Sequence, residues 1–312
     1  MTAKLAFVFP GQGSQTVGML AEIGAAESVI QEVFAEASDA LGYDLWALCQ
    51  QGPAEALNQT DKTQPAILAA SVALYRLWQS KSGQTPVFVA GHSLGEYSAL
   101  VAAGSIDLAD AVRLVARRGQ LMQQAVPAGT GAMAAILGLA DEQVIQACAQ
   151  AAQGDVVSAV NFNAPGQVVI AGSAAAVERA IEQCKEMGAK RAMPLPVSVP
   201  SHCELMRPAA EQFAADITAI NWQTPLIPLI QNVTATVVQD VKAVKANLLA
   251  QLYSPVRWVE TVQCLAEQGV TDLVECGPGR VLGGLNKRCA KELKNHSLDA
   301  CDAFEATLAT LK

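Results

Sequence analysis

Histidine is nearly missing from this sequence: His92, His202 and His296 are the only three in 312 residues. Charge is scarce too, at 16% of residues, and 29 acidic residues outnumber 21 basic ones for a net charge of −8. That balance excludes a general nucleic-acid binder, which needs a basic footprint. The eight cysteines form no C-x-x-C pair and no cluster with histidine. Neither a metal site nor a disulfide framework is therefore expected, and reduced thiols suit the cytoplasm. No apolar run reaches the roughly 18 residues of a membrane span without a charge or a helix breaker. The apolar start Leu5-Ala6-Phe7-Val8-Phe9 is too short for a signal peptide and stops at Pro10-Gly11. The expectation is a cytoplasmic protein that works on neither a membrane nor a nucleic acid.

What the chain does have is apolar surface. At 51% hydrophobic, it can bury a large core in one big domain or two lobes. Its most informative stretch begins with Val87-Phe88-Val89, a buried-strand pattern, and ends with helix formers from Glu96 to Ala103, closed by Gly104. Between them lies Gly91-His92-Ser93-Leu94-Gly95, a G-x-S-x-G sequence. A serine on a sharp strand-to-helix turn has its hydroxyl thrust out of the sheet, and the glycines let the backbone pass closely. The following helix aims free N–H groups and its positive dipole end at the same spot. Ser93 is the candidate nucleophile.

Pro10-Gly-Gln-Gly-Ser-Gln15 follows the first strand. It is no dinucleotide fingerprint, because Thr16 stands where a small residue is needed. A ligand-facing loop and a plain turn both remain open there. Gly277-Pro-Gly279 reads as a structural turn, since proline removes a donor that a phosphate cradle would use.

Asp107 caps a helix predicted to run to about Val126. Asp110, Arg113, Arg117, Gln120 and Gln124 make its polar stripe, whereas Arg118 falls among Leu114, Val115 and Met122 on the apolar one. A buried guanidinium needs a partner. Periodicity leaves two choices: a protein carboxylate, or a substrate carboxylate gripped by the planar fork.

From about residue 128 the rhythm becomes β-α-β-β-α-β, the ferredoxin-like order. Residues 128–198 are read as a small lobe inserted into a large one made of 1–127 plus 199–312, with pivots near Pro127 and Pro194 to Pro200. A strand is expected over Thr271 to Glu275, then a basic helix to Lys294.

A serine needs a base. His92 is adjacent to Ser93, where side chains diverge, and reads as scaffold; His296 reads as a solvated surface residue. His202, in a Pro-Ser-His loop at the return from the small lobe, is the candidate base. Asp272 and Glu275 are possible acids for a triad, and a main-chain carbonyl holding Nδ1–H, giving a dyad, is the alternative.

The motifs Pro10-Gly-Gln-Gly-Ser-Gln15, Gln64-Pro65-Ala66, Gly91-His-Ser-Leu-Gly-Glu96, Arg118-Gly119, Gly129-Thr-Gly-Ala-Met133, Asn161-Phe-Asn163, Pro200-Ser-His202, Asn232-Val233 and Gly277-Pro-Gly279 occur in this order. Together they resemble the malonyl-CoA:acyl carrier protein transacylase family. The resemblance implies an α/β fold: an α/β-hydrolase-like large lobe with a parallel sheet, carrying the inserted ferredoxin-like lobe. It implies Ser93 as the acylated nucleophile, His202 as base then acid, and the N–H groups of Gln12 and Leu94 as oxyanion donors. Arg118 would hold the malonyl carboxylate. Gln251 and the main chain near Asn232 would orient His202, and Gln64, Met122 and His92 would line the pocket. The expected partners are malonyl-CoA and an acyl carrier protein, with no cofactor beyond the thioester and the carrier's phosphopantetheine, and a monomer. An acidic carrier would need a basic patch, with Lys287, Arg288, Lys291 and Lys294 on one helix and Lys190-Arg191 as candidates. The alternatives are a serine esterase or thioesterase, and transfer of a related acyl group in a polyketide pathway.

Overall fold

The computed structural model describes residues 4–82, 84–197 and 199–311; residue 198, at the expected lobe boundary, lies outside them. The organising strand is β1 (Leu5–Phe9), buried along its whole length. Its side chains alternate between two cores. Leu5, Phe7 and Phe9 join the large apolar cluster with the helices on one face, and Ala6 and Val8 join Trp258, Val262 and Leu265 on the other. A strand covered on both faces reads as an unbroken apolar run, which is why LAFVF shows no polar alternation.

β1 pairs in parallel with β2 (Phe88–Gly91) and with β9 (Asp272–Glu275). The remaining strands of this sheet are β7 (Leu229–Ile230), β8 (Val237–Val238) and β10 (Lys294–Ser297), in the order β10-β9-β1-β2-β7-β8. Only the β7–β8 pair is antiparallel.

The second sheet takes β3 (Gly131–Leu137), β4 (Val157–Ala164), β5 (Gln167–Ser173) and β6 (Arg191–Pro194), in the order β4-β5-β3-β6, every pair antiparallel. This is the ferredoxin-like arrangement that the element order predicts. One face packs on the Asp141–Ala152 and Ala174–Glu186 helices through Val144, Val168, Ile170 and Val177. The other carries Met133, Val160 and Val169, which pack with Cys203. The small sheet is thus the wall against which the His202 loop rests. Main-chain bonds tie the two parts as well: Phe162 donates to the Val256 carbonyl at 3.0 Å and Val256 donates to that of Val160 at 2.8 Å.

Two expectations at the C-terminal end need correcting. The basic helix spans Val281–Cys289 and does not reach Lys294, which starts edge strand β10. Buried Leu293 and Leu298 pin that segment on the sheet. Lys287 and Arg288 are therefore helical while Lys291 and Lys294 are not, so the four cations do not form one helical patch. Arg288 is already engaged, donating to Gln167 Oε1 at 2.5 Å and to the Pro165 carbonyl at 2.7 Å. His296 is no solvated surface residue either. It lies on β10 with Nε2 2.9 Å from Asp272 Oδ1, its side chain 15% exposed. Among the described residues no helix is long and apolar enough to cross a membrane.

The turn between β2 and the Gly95–Ala102 helix is extremely tight. A Cβ on Gly91 would lie 1.9 Å from the Gly95 carbonyl carbon, and one on Gly95 would lie 2.0 Å from the Phe9 oxygen. Both obstacles are backbone and cannot rotate away. Gly95→Ala is therefore expected to cost about 3 kcal/mol, the upper part of the overpacking range, through backbone displacement at the elbow. Denaturant unfolding measures it, and a loss within experimental error of zero would contradict this packing.

Candidate active site

Ser93 sits at that turn with φ 52°, and His202 has φ 67°. Both are left-handed conformations that a residue with a Cβ rarely adopts, so surrounding contacts must hold them. For Ser93 the hold is Asn232, whose Oδ1 accepts the Ser93 N–H at 2.7 Å while its Nδ2 donates to the Gly91 carbonyl at 2.6 Å. For His202 it is the end of the Val241–Gln251 helix. The His202 N–H donates to the Leu252 carbonyl at 2.9 Å, and Nδ1 lies 2.7 Å from the Gln251 carbonyl oxygen.

A carbonyl only accepts, so Nδ1 carries the proton and Nε2 presents a lone pair. That lone pair faces Ser93 Oγ at 2.8 Å. The pair is a nucleophile and its base, with a main-chain carbonyl in the place of a triad acid. Asp272 is spent on His296 and Thr271, and Glu275 accepts the N–H groups of Leu282 and Gly283, both at 2.8 Å. Neither serves His202. Asn232 also departs from its expected part: its side chain is consumed by the elbow backbone and its carbonyl accepts from the Arg257 N–H at 3.2 Å. It holds the nucleophile, not the histidine.

His202 is 3% exposed. Burial, followed by the charge of Arg118, pushes its pKa down to about 3. At neutral pH the ring is therefore neutral, the form a base requires. NMR titration is expected to show His202 holding one protonation state from pH 8 to about 5, where an ordinary histidine titrates near 6.5; a midpoint near 6.5 would contradict the buried site.

Arg118 is fully buried on the Leu108–Ala125 helix, as its apolar-face position predicts. Its two hydrogen-bond partners are both amides: Nη1 donates to Gln64 Oε1 at 2.9 Å and Nη2 to Gln251 Oε1 at 3.0 Å, while Nε has no partner among the described residues. The protein-carboxylate reading left open by periodicity is not what the fold adopts. Gln251 thus touches everything that matters: its carbonyl holds His202, its Oε1 holds Arg118, and its Nε2 donates to the Ser93 carbonyl at 3.0 Å.

A cavity of about 590 Å³ opens over Ser93 and His202, and Gln12, Gly13, His92, Met133 and Asn161 are on its wall. From the Pro10 to Gln15 loop, Gln12, Gly13 and Gln15 face this cavity. Gln64 and Met122, expected on that wall, are instead buried and off it, as Arg118 is. Gln64 is drawn to the guanidinium, with its Nε2 3.7 Å from Met122 Sδ and 3.4 Å from Gln12 Oε1. His92 stays on the wall, braced by Nε2 on Asn163 Oδ1 at 2.7 Å and by the Trp258 ring edge. The N–H groups of Gln12 and Leu94 donate to nothing among the described residues.

Glu96 has no site role in the sequence reading, where it is a helix former and the last residue of the Gly91 to Glu96 motif. It is wholly buried and receives Gln231, Asn232 and Gln251. A glutamate one turn after a nucleophile elbow, in an otherwise uncharged helix, is the signal that marks it. Burial raises its pKa, against the pull of those donors and of Arg118.

An acyl transferase domain matches residues 6–303. The malonyl CoA-acyl carrier protein transacylase of Escherichia coli K12 is 59% identical over 305 residues, 98% of this chain and 99% of that protein. A crystal structure of an acyl carrier protein S-malonyltransferase from Vibrio cholerae superposes with a TM-score of 0.96 at 59% identity, covering 98% and 100% of the two chains. A malonyl-transacylase in complex with its type II polyketide acyl-carrier protein superposes with a TM-score of 0.97 at 56% identity, covering 99% and 100%. With a Ser–His pair on a strand-to-helix elbow, and with similarity running end to end, the chain belongs to the acyl transferase family and, within it, to the malonyl CoA-acyl carrier protein transacylases.

Proposed function

We propose that the chain transfers a malonyl group from malonyl-CoA to the pantetheine thiol of an acyl carrier protein, through a malonyl ester of Ser93. His202 Nε2 takes the Ser93 proton as Oγ attacks the thioester carbon. The oxyanion sits on the N–H groups of Gln12 and Leu94, each such donor being worth about 10²–10³ in rate. The C–S bond breaks and the CoA thiolate leaves with the proton from His202. The carrier's thiol then gives its proton to His202, attacks the ester, and Ser93 Oγ leaves reprotonated.

The observation that carries this reading is Arg118, a buried guanidinium beside a Ser–His pair, hydrogen-bonded to two amides and lying 5.5 Å from the centre of the Tyr97 ring, with no salt-bridging carboxylate among the described residues. A malonyl carboxylate completes its partners, whereas an acetyl group leaves the cation unpaired at the cost of several kcal/mol. Residues of one chain supply both the Ser–His pair and Arg118, which supports a monomeric enzyme. No cofactor is needed beyond the thioester and the carrier's phosphopantetheine. Eight free cysteines support a cytoplasmic setting, and fatty acid biosynthesis is the pathway we assign.

The test is CoA release from malonyl-CoA. Without an acceptor, the reading expects a burst of one equivalent and then near silence; added holo carrier protein restarts turnover. Continuous release without any acceptor would make the chain a thioesterase instead.

A further inference from the structure

Glu96 lies on the first turn of the helix after the elbow, and its two oxygens take three hydrogen bonds. They come from Gln231 Nε2 at 2.7 Å, the Asn232 N–H at 3.0 Å and Gln251 Nε2 at 2.9 Å. Every one of these partners donates, so the ionised carboxylate is the form that satisfies them all. Two of them lead directly to the reacting groups, since Asn232 also holds the Ser93 N–H and Gln251 also holds the Ser93 carbonyl.

An amide has one accepting end and one donating end. Gln251 turns Oε1 to Arg118 Nη2 and Nε2 to Glu96 Oε2. The reverse orientation would set an NH₂ against a guanidinium and an oxygen against a carboxylate, two repulsions at once. The Glu96 carboxylate therefore acts with Arg118 and the Ser93 carbonyl to set which way round Gln251 sits. It also stands one amide away from Arg118, where it balances the buried cation without covering it.

We propose that Glu96 is the positioning residue behind malonyl recognition: through the Gln251 amide it orients Arg118 and offsets its charge, while leaving the remaining guanidinium donors for the substrate carboxylate. The inference deepens the functional reading above and rests on it. An ion pair made directly with Arg118 would hold the cation equally well but close it to substrate.

The test follows Ser93 acylation by intact mass, with malonyl-CoA and acetyl-CoA each varied in concentration, for the wild type and for Glu96→Gln. Glutamine keeps the shape but brings an NH₂ to a place where three donors already converge. The half-saturating malonyl-CoA concentration is expected to rise about tenfold or more, the worth of one hydrogen bond to a charged group, with a much smaller change in the maximal rate. Acetyl loading shares the Ser93 contacts of Asn232 and Gln251 and is expected to fall less than malonyl loading, so that the malonyl-to-acetyl ratio drops; Glu96→Asp, which keeps the carboxylate, is expected to recover part of that ratio. A folded Glu96→Gln enzyme with the wild-type malonyl-to-acetyl ratio overturns the proposal. A wild type that takes no malonyl on Ser93 overturns the functional reading instead. Should Glu96→Gln not fold, Glu96→Asp is read in its place: it keeps the charge but draws it back from the Gln251 amide, so the half-saturating malonyl-CoA concentration rises more than that for acetyl-CoA. A folded Glu96→Asp enzyme with the wild-type malonyl-to-acetyl ratio overturns the proposal.

Discussion

Replacing Arg118 by alanine is expected to slow malonyl loading of Ser93 by about 10²- to 10³-fold, the equivalent of leaving a buried charge without its partner. The loss falls on malonyl alone. In the wild type a bound acetyl group leaves the Arg118 guanidinium with two amides and an unpartnered Nε. Removing the cation removes that penalty, so acetyl transfer rises relative to malonyl transfer. Single-turnover acylation with the two CoA thioesters separates the effects. An unchanged preference would take Arg118 out of substrate recognition, however well buried it is.

His202→Ala has the second large effect. Among the described residues the Ser93 hydroxyl faces one base, His202 Nε2 at 2.8 Å, and a main-chain carbonyl rather than a carboxylate stands behind that base. General-base catalysis is worth about 10²–10⁴, and acylation should fall by that factor. The Gln12 and Leu94 N–H groups and Arg118 remain in place, so malonyl-CoA binding should change little while the acylation rate falls. Rapid-quench measurement of the first turnover reads both, and a rate within a few-fold of wild type would show that another group takes the Ser93 proton.

Much of this site is legible in the sequence, for reasons that are local. The elbow announces itself because strand, Gly-x-Ser-x-Gly and helix are consecutive. Arg118 is found because a helix has a period, and the residue stands in the wrong stripe for a charge. His202 emerges from a field of three histidines because its neighbours are proline and serine and the other two have poorer settings. The two-sheet organisation follows from the change of rhythm after residue 128. The rest depends on contacts between segments far apart in the chain. Asn232 meets Ser93 across 139 positions and Gln251 meets it across 158. Local periodicity carries nothing about such pairings, so the resemblance placed Asn232 on the wrong partner. Strand β10 was invisible for a different reason. Its sequence, Lys294-Asn-His-Ser297, is polar and short, and it becomes a strand because β9 offers it an open edge. The same edge takes His296 out of solvent and Asp272 out of contention as a catalytic acid.

The central claim is that Ser93, activated by His202, carries the malonyl group between two thiols. Peptide mapping of the protein after brief exposure to malonyl-CoA tests it most directly. The account predicts one malonyl group per chain, on the peptide that contains Ser93, discharged on addition of holo carrier protein. A malonyl group on any other residue, or no covalent adduct while transfer to the carrier proceeds, would contradict it.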